Sequence, residues 1–235
     1  LLDSGITAKK IMSRRSITNS IRVGAAIGGS TNLVLHSVAI AYEAGFDLGM
    51  DEIEKLFRST PHIVKMNPAA AANVPDFHSA GGVQAVMKQL LPILHGDVLS
   101  VTGRTVSENL ADVDGGARSG ARRGARRGTG EGAGEGAGEG AGEGARSGER
   151  GMIRSADDPW SKGGCLAVLS GNLAPDGAIT KPAAIAPGMM VFEGTARCFD
   201  VEEAANQAIL DGTVIEGDVV VIRYEGPKGG PGMRE

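Results

Sequence analysis

Residues 113–150 read VDGGARSGARRGARRGTGEGAGEGAGEGAGEGARSGER, and this stretch decides the fold because it separates two different kinds of sequence. It opens as a basic Ala-Arg-Gly run and becomes a four-residue repeat, EGAG, between Glu131 and Ala145. No apolar residue larger than valine occurs in it, so it cannot bury enough surface to offset the entropy of ordering. Glycine at every second position of the repeat also opposes helix. The composition predicts a flexible linker or a surface insertion, whose oppositely charged halves attract each other weakly. Its arginines offer a contact to RNA or an acidic partner, but the chain's net charge of −4 argues against nucleic acid.

Upstream of this stretch the pattern is helical. Gly28-Gly29-Ser30-Thr31-Asn32 precedes LVLHSVAIAYEAG, an almost continuously apolar run ending at Gly45. Ser30 or Thr31 suits the N-cap and Gly45 the residue past the C-cap, and apolar residues nearly all round predict burial on most sides. A second helix is expected over Asp51–Arg58, closed by Pro61. A third is expected from Gly82 to about His95, with Val83, Val86, Met87, Leu90, Leu91 and Leu94 on one face. Pro92 must kink it or end it early. Asp97–Val101 then suggests a short strand and Thr105–Ala111 a short helix.

Downstream the periodicity changes. Cys165–Leu169 and Ala178–Thr180 are expected as strands flanking a turn at Ala174-Pro175-Asp176-Gly177, and Thr195–Phe199 as another strand. Asp200-Val201-Glu202-Glu203 resembles a capping box. The helix behind it, to about Leu210, would turn Val201, Ala204, Ala205, Ala208 and Ile209 inward. Gly217-Asp218 leads into a strand over Val219–Tyr224. A helical front and a β-rich back therefore flank residues 113–150.

Few residues carry obvious chemistry. Cys165 and Cys198 lie too far apart for a CxxC pair, and neither has a histidine at ligand spacing; both are expected as plain reduced thiols. His36, His62, His78 and His95 are scattered, without HxxxH or HExxH. No stretch is long and apolar enough to cross a bilayer as a helix. The chain begins at Leu1 and ends beyond a strand at Glu235, which suggests an internal piece of a longer protein. The GGSTN segment places glycines and hydroxyls at a helix N-terminus, which suits an anion, or else is a simple cap with close backbone packing. Asn172 and Asp176 sit in a tight turn that is more simply structural. GPKGGPG, residues 226–232, combines four glycines, two prolines and Lys228, so its amides can approach a ligand closely. Arg234 then suits a carboxylate or phosphate and Glu235 a hard cation such as Mg²⁺, or the segment is a glycine-rich turn opening a helix.

Five strings occur here in the order found in the family of iron–sulfur dihydroxy-acid and sugar-acid dehydratases, which the chain resembles. They are GGSTN with the helix bearing His36, FHSAGGVQAVMKQL, HGDVLSVTGRTVSENL, AVLSGNLAPDGAI and GDVVVIRYEGPKGGPGMRE. The likeness covers roughly 1–112 and 151–235, and the ending EGPKGGPGMRE is similar to the branch that serves branched-chain amino acids. Residues 113–150 depart from the family, as a surface loop or as an error in the gene's reading.

The resemblance implies an α/β fold: residues 1–112 as the C-terminal part of a helix-rich, cluster-binding α/β domain, residues 113–150 as linker or insertion, and residues 151–235 as the start of a β-barrel-like swivelling domain. It implies a hydro-lyase that removes water from 2,3-dihydroxy-3-methyl carboxylates to give 2-keto acids in valine and isoleucine biosynthesis. The alternatives are a sugar-acid dehydratase acting on 6-phosphogluconate or a pentonate, and a degenerate copy without activity. The implied cofactors are an iron–sulfur cluster and Mg²⁺. The family's cluster cysteines, its other Mg²⁺ ligands and its catalytic serine fall outside this chain, so the piece alone is expected to be inactive. Glu235 matches a family Mg²⁺ ligand, and Gly229, Gly230 and Arg234 match the loop that shapes the pocket. The implied partners are a small dihydroxy acid and a second copy in a homodimer, with no nucleic acid or membrane. The chemistry occurs in bacterial cytoplasm, mitochondria and plastids, so the compartment stays open.

Overall fold

Ser13 turns the chain into a helix that the sequence pattern did not announce. Its hydroxyl accepts from the Ser16 amide at 3.2 Å while the Ser16 hydroxyl accepts from the Ser13 amide at 2.9 Å, a reciprocal N-terminal cap. The helix, α2, runs Arg14–Ala26 after a single turn, α1, at Ala8–Ile11. The computed structural model describes residues 3–67, 70–116 and 151–225, which form two compact units, 1–184 and 185–235.

In the first unit α2 serves two cores. Ile17, Ile21 and Ala25, spaced four apart, join Val34 and Ala41 of α3 (Asn32–Glu43), Ile53, Leu56 and Phe57 of α4 (Met50–Arg58), and Cys165 and Leu166. Val23 and Ala26, on another side, join Ile63, Val64, Phe77 of α5 (Val74–Ser79), Ala85, Val86 and Leu90 of α6 (Gly82–Leu90), and Ile153. A small third cluster unites Val98, Leu110 and Val106 of α7 (Val106–Asn109).

Close approach is possible because α2 carries small residues where neighbours cross. A side chain at Gly24 would collide with Leu33, and a Cβ at Gly164 would stand 2.9 Å from the Ala25 Cβ and 3.2 Å from the Phe57 carbonyl. Asn19, buried on α2, donates to the His95 carbonyl (3.0 Å) and accepts the His95 amide (2.8 Å). That pair fixes the chain just past α6, which ends at Leu90 and tightens into a 3₁₀ turn at Leu91–Ile93 where Pro92 stands. The expected helix to His95 thus stops early, and Val83 lies exposed rather than on its buried face.

Other expectations need correction. Asp97–Val101 is not a strand: it contributes one bridge, Leu99 to Thr105, in a tight return. The Ser100 amide donates to the Arg104 carbonyl there, and the side chains of Ser100, Thr102 and Asn109 knit the turn. β1 (Ala167–Leu169) is shorter than expected and pairs antiparallel with β2 (Ala178–Thr180). α3 is far less covered than its composition predicts: of its twelve residues only Val34, Ser37 and Ala41 are buried.

The second unit is a β-α-β segment. β3 (Thr195–Phe199) pairs in parallel with β4 (Asp218–Ile222), and α8 (Glu202–Leu210) connects them. The expected capping box is absent. Val201 takes the N-cap position without a side-chain bond, because the Asp200 carboxylate is engaged by the Arg223 guanidinium. Of the five residues expected to face inward, only Ala205 is buried, and Val201 and Ile209 are exposed. The chain leaves β4 at Ile222, two residues earlier than expected, and Tyr224 adopts a positive φ of 64°. Mixed helix and strand place the chain in the α/β class; among the described residues the strands form two separate pairs and no closed barrel.

Replacing Asn19 by alanine would leave the half-buried His95 amide and carbonyl without the partner they share. We expect a loss of about 2 kcal/mol, the cost of leaving such groups unpaired, seen as a lower denaturant midpoint with unchanged slope.

Candidate functional site

The best-defined polar cluster in the first unit lies where α2 gives way to α3, at Gly28-Gly29-Ser30-Thr31. The last carbonyls of a helix have no partner inside it. Here the Gly29 amide returns to the Gly24 carbonyl at 2.9 Å, with Gly28 at φ +81°, a left-handed close to α2 that glycine adopts without strain. The Ala25 carbonyl accepts the Cys165 amide (3.2 Å), and the Ala26 carbonyl accepts both the Ile63 and Val64 amides (3.0 and 3.2 Å). One helix end thereby gathers two remote segments around its own following loop.

Three side chains, of Lys181, His62 and Cys165, converge on that loop. The Lys181 ammonium donates to the Gly28 carbonyl at 2.9 Å across 153 positions of sequence. His62 is 4% exposed, and its Nε2 lies against Gly28, 3.4 Å from where a Cβ would stand, with no hydrogen-bond partner. Burial holds the imidazole neutral by pushing its pKa below 6.5, and Lys65 and Lys181 add to this, while the Val64 carbonyl acts the other way. The Cys165 thiol is pushed up by burial, against smaller opposing effects of Lys181 and the Gly28 and Gly29 amides. The Trp160 ring is flanked by the Lys65 ammonium at 4.6 Å and the Arg154 guanidinium at 4.3 Å. The Trp160 amide donates to the His62 carbonyl, and His62 bridges to Ser161.

This arrangement limits the chemistry. Lys65 and Lys181 stand by a neutral imidazole, while the Arg154 guanidinium is paired with the Asp158 carboxylate at 3.1 Å. Among the described residues no three histidines, cysteines or carboxylates come together in a set able to hold a cation. Cys165 is buried and held as a thiol, and Cys198 lies exposed on β3 in the other unit. The described residues therefore do not fit an iron–sulfur cluster or a Mg²⁺ site.

Of the two readings of GGSTN, an anion site or a simple cap, the second fits, since the amides there are met by the chain itself. Thr31 is the N-cap of α3 but makes no side-chain cap bond. The Asn32 amide finds the Ser30 hydroxyl, and the Leu33 and Val34 amides find the Ser30 and Thr31 carbonyls. The two glycines close one helix as much as they open the next. Asn172 and Asp176 are exposed in the β1–β2 connection. Gly229, Gly230, Arg234 and Glu235 lie outside the described residues. His36 and His78 are exposed and His95 is half-buried, so only His62 joins the cluster. Neither His62 nor Lys181 stood out in the sequence as a site residue. Their meeting depends on long-range packing that no local motif announces.

Comparison with known proteins adds a second line of evidence. Residues 1–109 match the family described as Dihydroxy-acid/6-phosphogluconate dehydratase N-terminal, and residues 151–235 match its C-terminal counterpart. The chain is 42% identical over its whole length to a dihydroxy-acid dehydratase of Caldanaerobacter subterraneus subsp. tengcongensis, of which it covers 37%. It is 41% identical to one of Nitratidesulfovibrio vulgaris strain Miyazaki F (37% covered) and 43% identical to one of Methylococcus capsulatus (36% covered), again over its whole length. The chain thus spans little more than a third of the length of the curated relatives it matches.

The buried imidazole has a consequence for pH. Unfolded His62 takes up a proton near its ordinary 6.5, whereas folded His62 resists it. The unfolded state therefore binds more protons in this window, and its stability contribution, complete above 6.5, is lost as pH falls through the lowered folded value. Denaturation midpoints measured from pH 7.5 down to 5 should fall, and His62→Gln should flatten that dependence.

Proposed function

Because this chain belongs to the dihydroxy-acid/6-phosphogluconate dehydratase family, we propose that it is part of an enzyme that dehydrates 2,3-dihydroxy-3-methyl carboxylates to 2-keto acids for valine and isoleucine biosynthesis. The observation that carries this is whole-chain identity of 41–43% to proteins named dihydroxy-acid dehydratase. In the reaction the C2 proton and the C3 hydroxyl leave as water. The enol that remains becomes the 2-keto acid when a proton is returned to C3.

The structure offers part of the surroundings. Lys181 and Lys65, both near enough to act on neutral His62, supply positive potential in a partly dry setting, where a charge acts more strongly than in water. That favours an acidic substrate. An iron–sulfur cluster and Mg²⁺ belong to the proposal, with Glu235 as one Mg²⁺ ligand beside the Gly229, Gly230 and Arg234 loop. No step is assigned to the described residues through either group, since they supply no set for it.

The finer architecture is also a proposal. Residues 1–112 would belong to the α/β domain and residues 151–235 would begin a swivelling, barrel-like one. What supports the second part is the bare sheet of the second unit. Parallel strands are ordinarily covered on both faces and continued at both edges, yet β3 and β4 form a sheet of two and most of β3 is exposed. A second substrate reading, 6-phosphogluconate, is favoured only by its place in the family's description.

The test is turnover. The full-length protein supplied with Mg²⁺ and a cluster should form a 2-keto acid from 2,3-dihydroxyisovalerate, and prefer it to 6-phosphogluconate at least tenfold in kcat/KM. Residues 1–235 alone should show no turnover. Activity in that piece would refute the division of the site, and preference for the phosphorylated sugar acid would move the substrate assignment.

A further inference from the structure

α3 is a helix dressed for a surrounding it does not have in this chain. Projected at 100° per residue, Val34, Ser37, Val38 and Ala41 share the side turned to the core. Leu35, Ala39 and Tyr42 form a second stripe beside them. Leu35 is 45% exposed and Tyr42 73%. On the opposite flank Ile40 is 43% exposed. Asn32, His36 and Glu43 mark a narrow polar back. A helix apolar over so wide an arc is ordinarily enclosed, and here only the first stripe is.

The Ile40 flank borders a real groove. It has a volume of about 560 Å³ and runs between α2 and α3. Met12 and Ile40 line one part of it, Val83 and Met87 another, and Val98 and Val101 a third. Met12, Val83 and Val101 are themselves exposed, Val101 at 68%. No charged side chain lines it. An apolar surface of this continuity is the mark of a contact surface.

The relatives' length bears on the occupant. They match this chain from end to end and carry the larger part of their own sequence outside the matched region. A domain encloses its apolar helices within one continuous core. We propose that the α2–α3 groove seats an apolar, uncharged segment of the same full-length polypeptide, drawn from outside these 235 residues. The groove is then an internal contact of the whole protein, not a ligand pocket and not a contact between copies. The inference rests on family membership and on the groove, and holds whichever substrate the enzyme takes.

Thiol labelling tests it. In a background with Cys198 replaced by serine, Ile40→Cys gives a single new reactive position near the groove, since Cys165 is buried. The 235-residue chain should react with a maleimide at close to the rate of a free thiol, at every protein concentration. The same variant in the full-length polypeptide should react at least a hundredfold more slowly. Equal rates in the two would overturn the proposal. Protection in the short chain that grows with its concentration would also overturn it, in favour of a second copy. Protection in the full-length protein that is lost on exhaustive dialysis would overturn it in favour of a small ligand. Amide exchange of Ile40 and its neighbours in the unmodified proteins gives the same comparison if the cysteine variant folds poorly: slower exchange in the full-length protein supports the proposal, and equal exchange counts against it.

Discussion

The first unit depends on how the last turn of α2 disposes of its carbonyls. A buried helix end with unpartnered carbonyls would cost several kcal/mol. Gly24, Ala25 and Ala26 solve this by accepting from Gly29, from Cys165, and from Ile63 and Val64. Each bond brings in a different part of the chain: the loop to α3, the approach to β1, and the extended segment that bridges to Ile153 and Ser161. Small residues are required at this place for the same reason. A Cβ at Gly164 would meet Ala25 and the Phe57 carbonyl, and one at Gly24 would meet Leu33. Hydrogen bonding and packing therefore impose one requirement, and the His62–Lys181 cluster is its by-product. Those two side chains meet at Gly28 because their backbones are fixed around the same helix end.

The second unit rests on a lighter arrangement. Asp218, at the start of β4, accepts the Ile215 amide at 3.0 Å and the Arg197 guanidinium at 3.1 Å. The amide is the larger influence holding its carboxyl below the usual range, and Arg197 assists. Arg197 belongs to β3, so one carboxylate closes the turn into β4 and ties the two strands at one end of their register. At the other end Arg223 joins Asp200. The Arg223–Asp200 pair is exposed and of small individual worth, the Asp218 side chain is covered, and Ala205 is the unit's one buried apolar side chain among the described residues. Two strands and one helix enclose little core, in keeping with a fragment of a larger sheet.

Much of the fold could be read from the sequence where local signals were strong. β3 and β2 fall where alternation and turn residues placed them. Pro92 ends α6, and Thr105 with Glu108 makes a reciprocal cap on α7. α2 escaped notice because RRSITNSIRVGAA buries Thr18 and Asn19 beside its isoleucines. Its polar residues mask the four-residue spacing of Ile17, Ile21 and Ala25. The capping box at Asp200 was a sound local inference, overridden when Arg223, 23 positions away, engaged the carboxylate. The cluster was less legible than the fold. GGSTN announced a helix start, but not that its glycines also end α2, since that depends on a helix the pattern did not show.

Two kinds of anomaly in the first unit point the same way. Apolar side chains of α3 stand in solvent, while polar atoms are buried without partners: Arg22 Nε, His62 Nε2, Arg154 Nε and Trp160 Nε1. Either fault is expensive in a finished domain. In this chain they occupy different places, the apolar excess on α3 and the groove, the unpaired polar atoms around residues 22, 62 and 154–160. Covering α3 with apolar chain removes the first kind only. The second kind is met only by groups that hydrogen-bond, ordered water among them. The two kinds of anomaly therefore call for different neighbours, apolar chain over α3 and hydrogen-bonding groups around residues 22, 62 and 154–160.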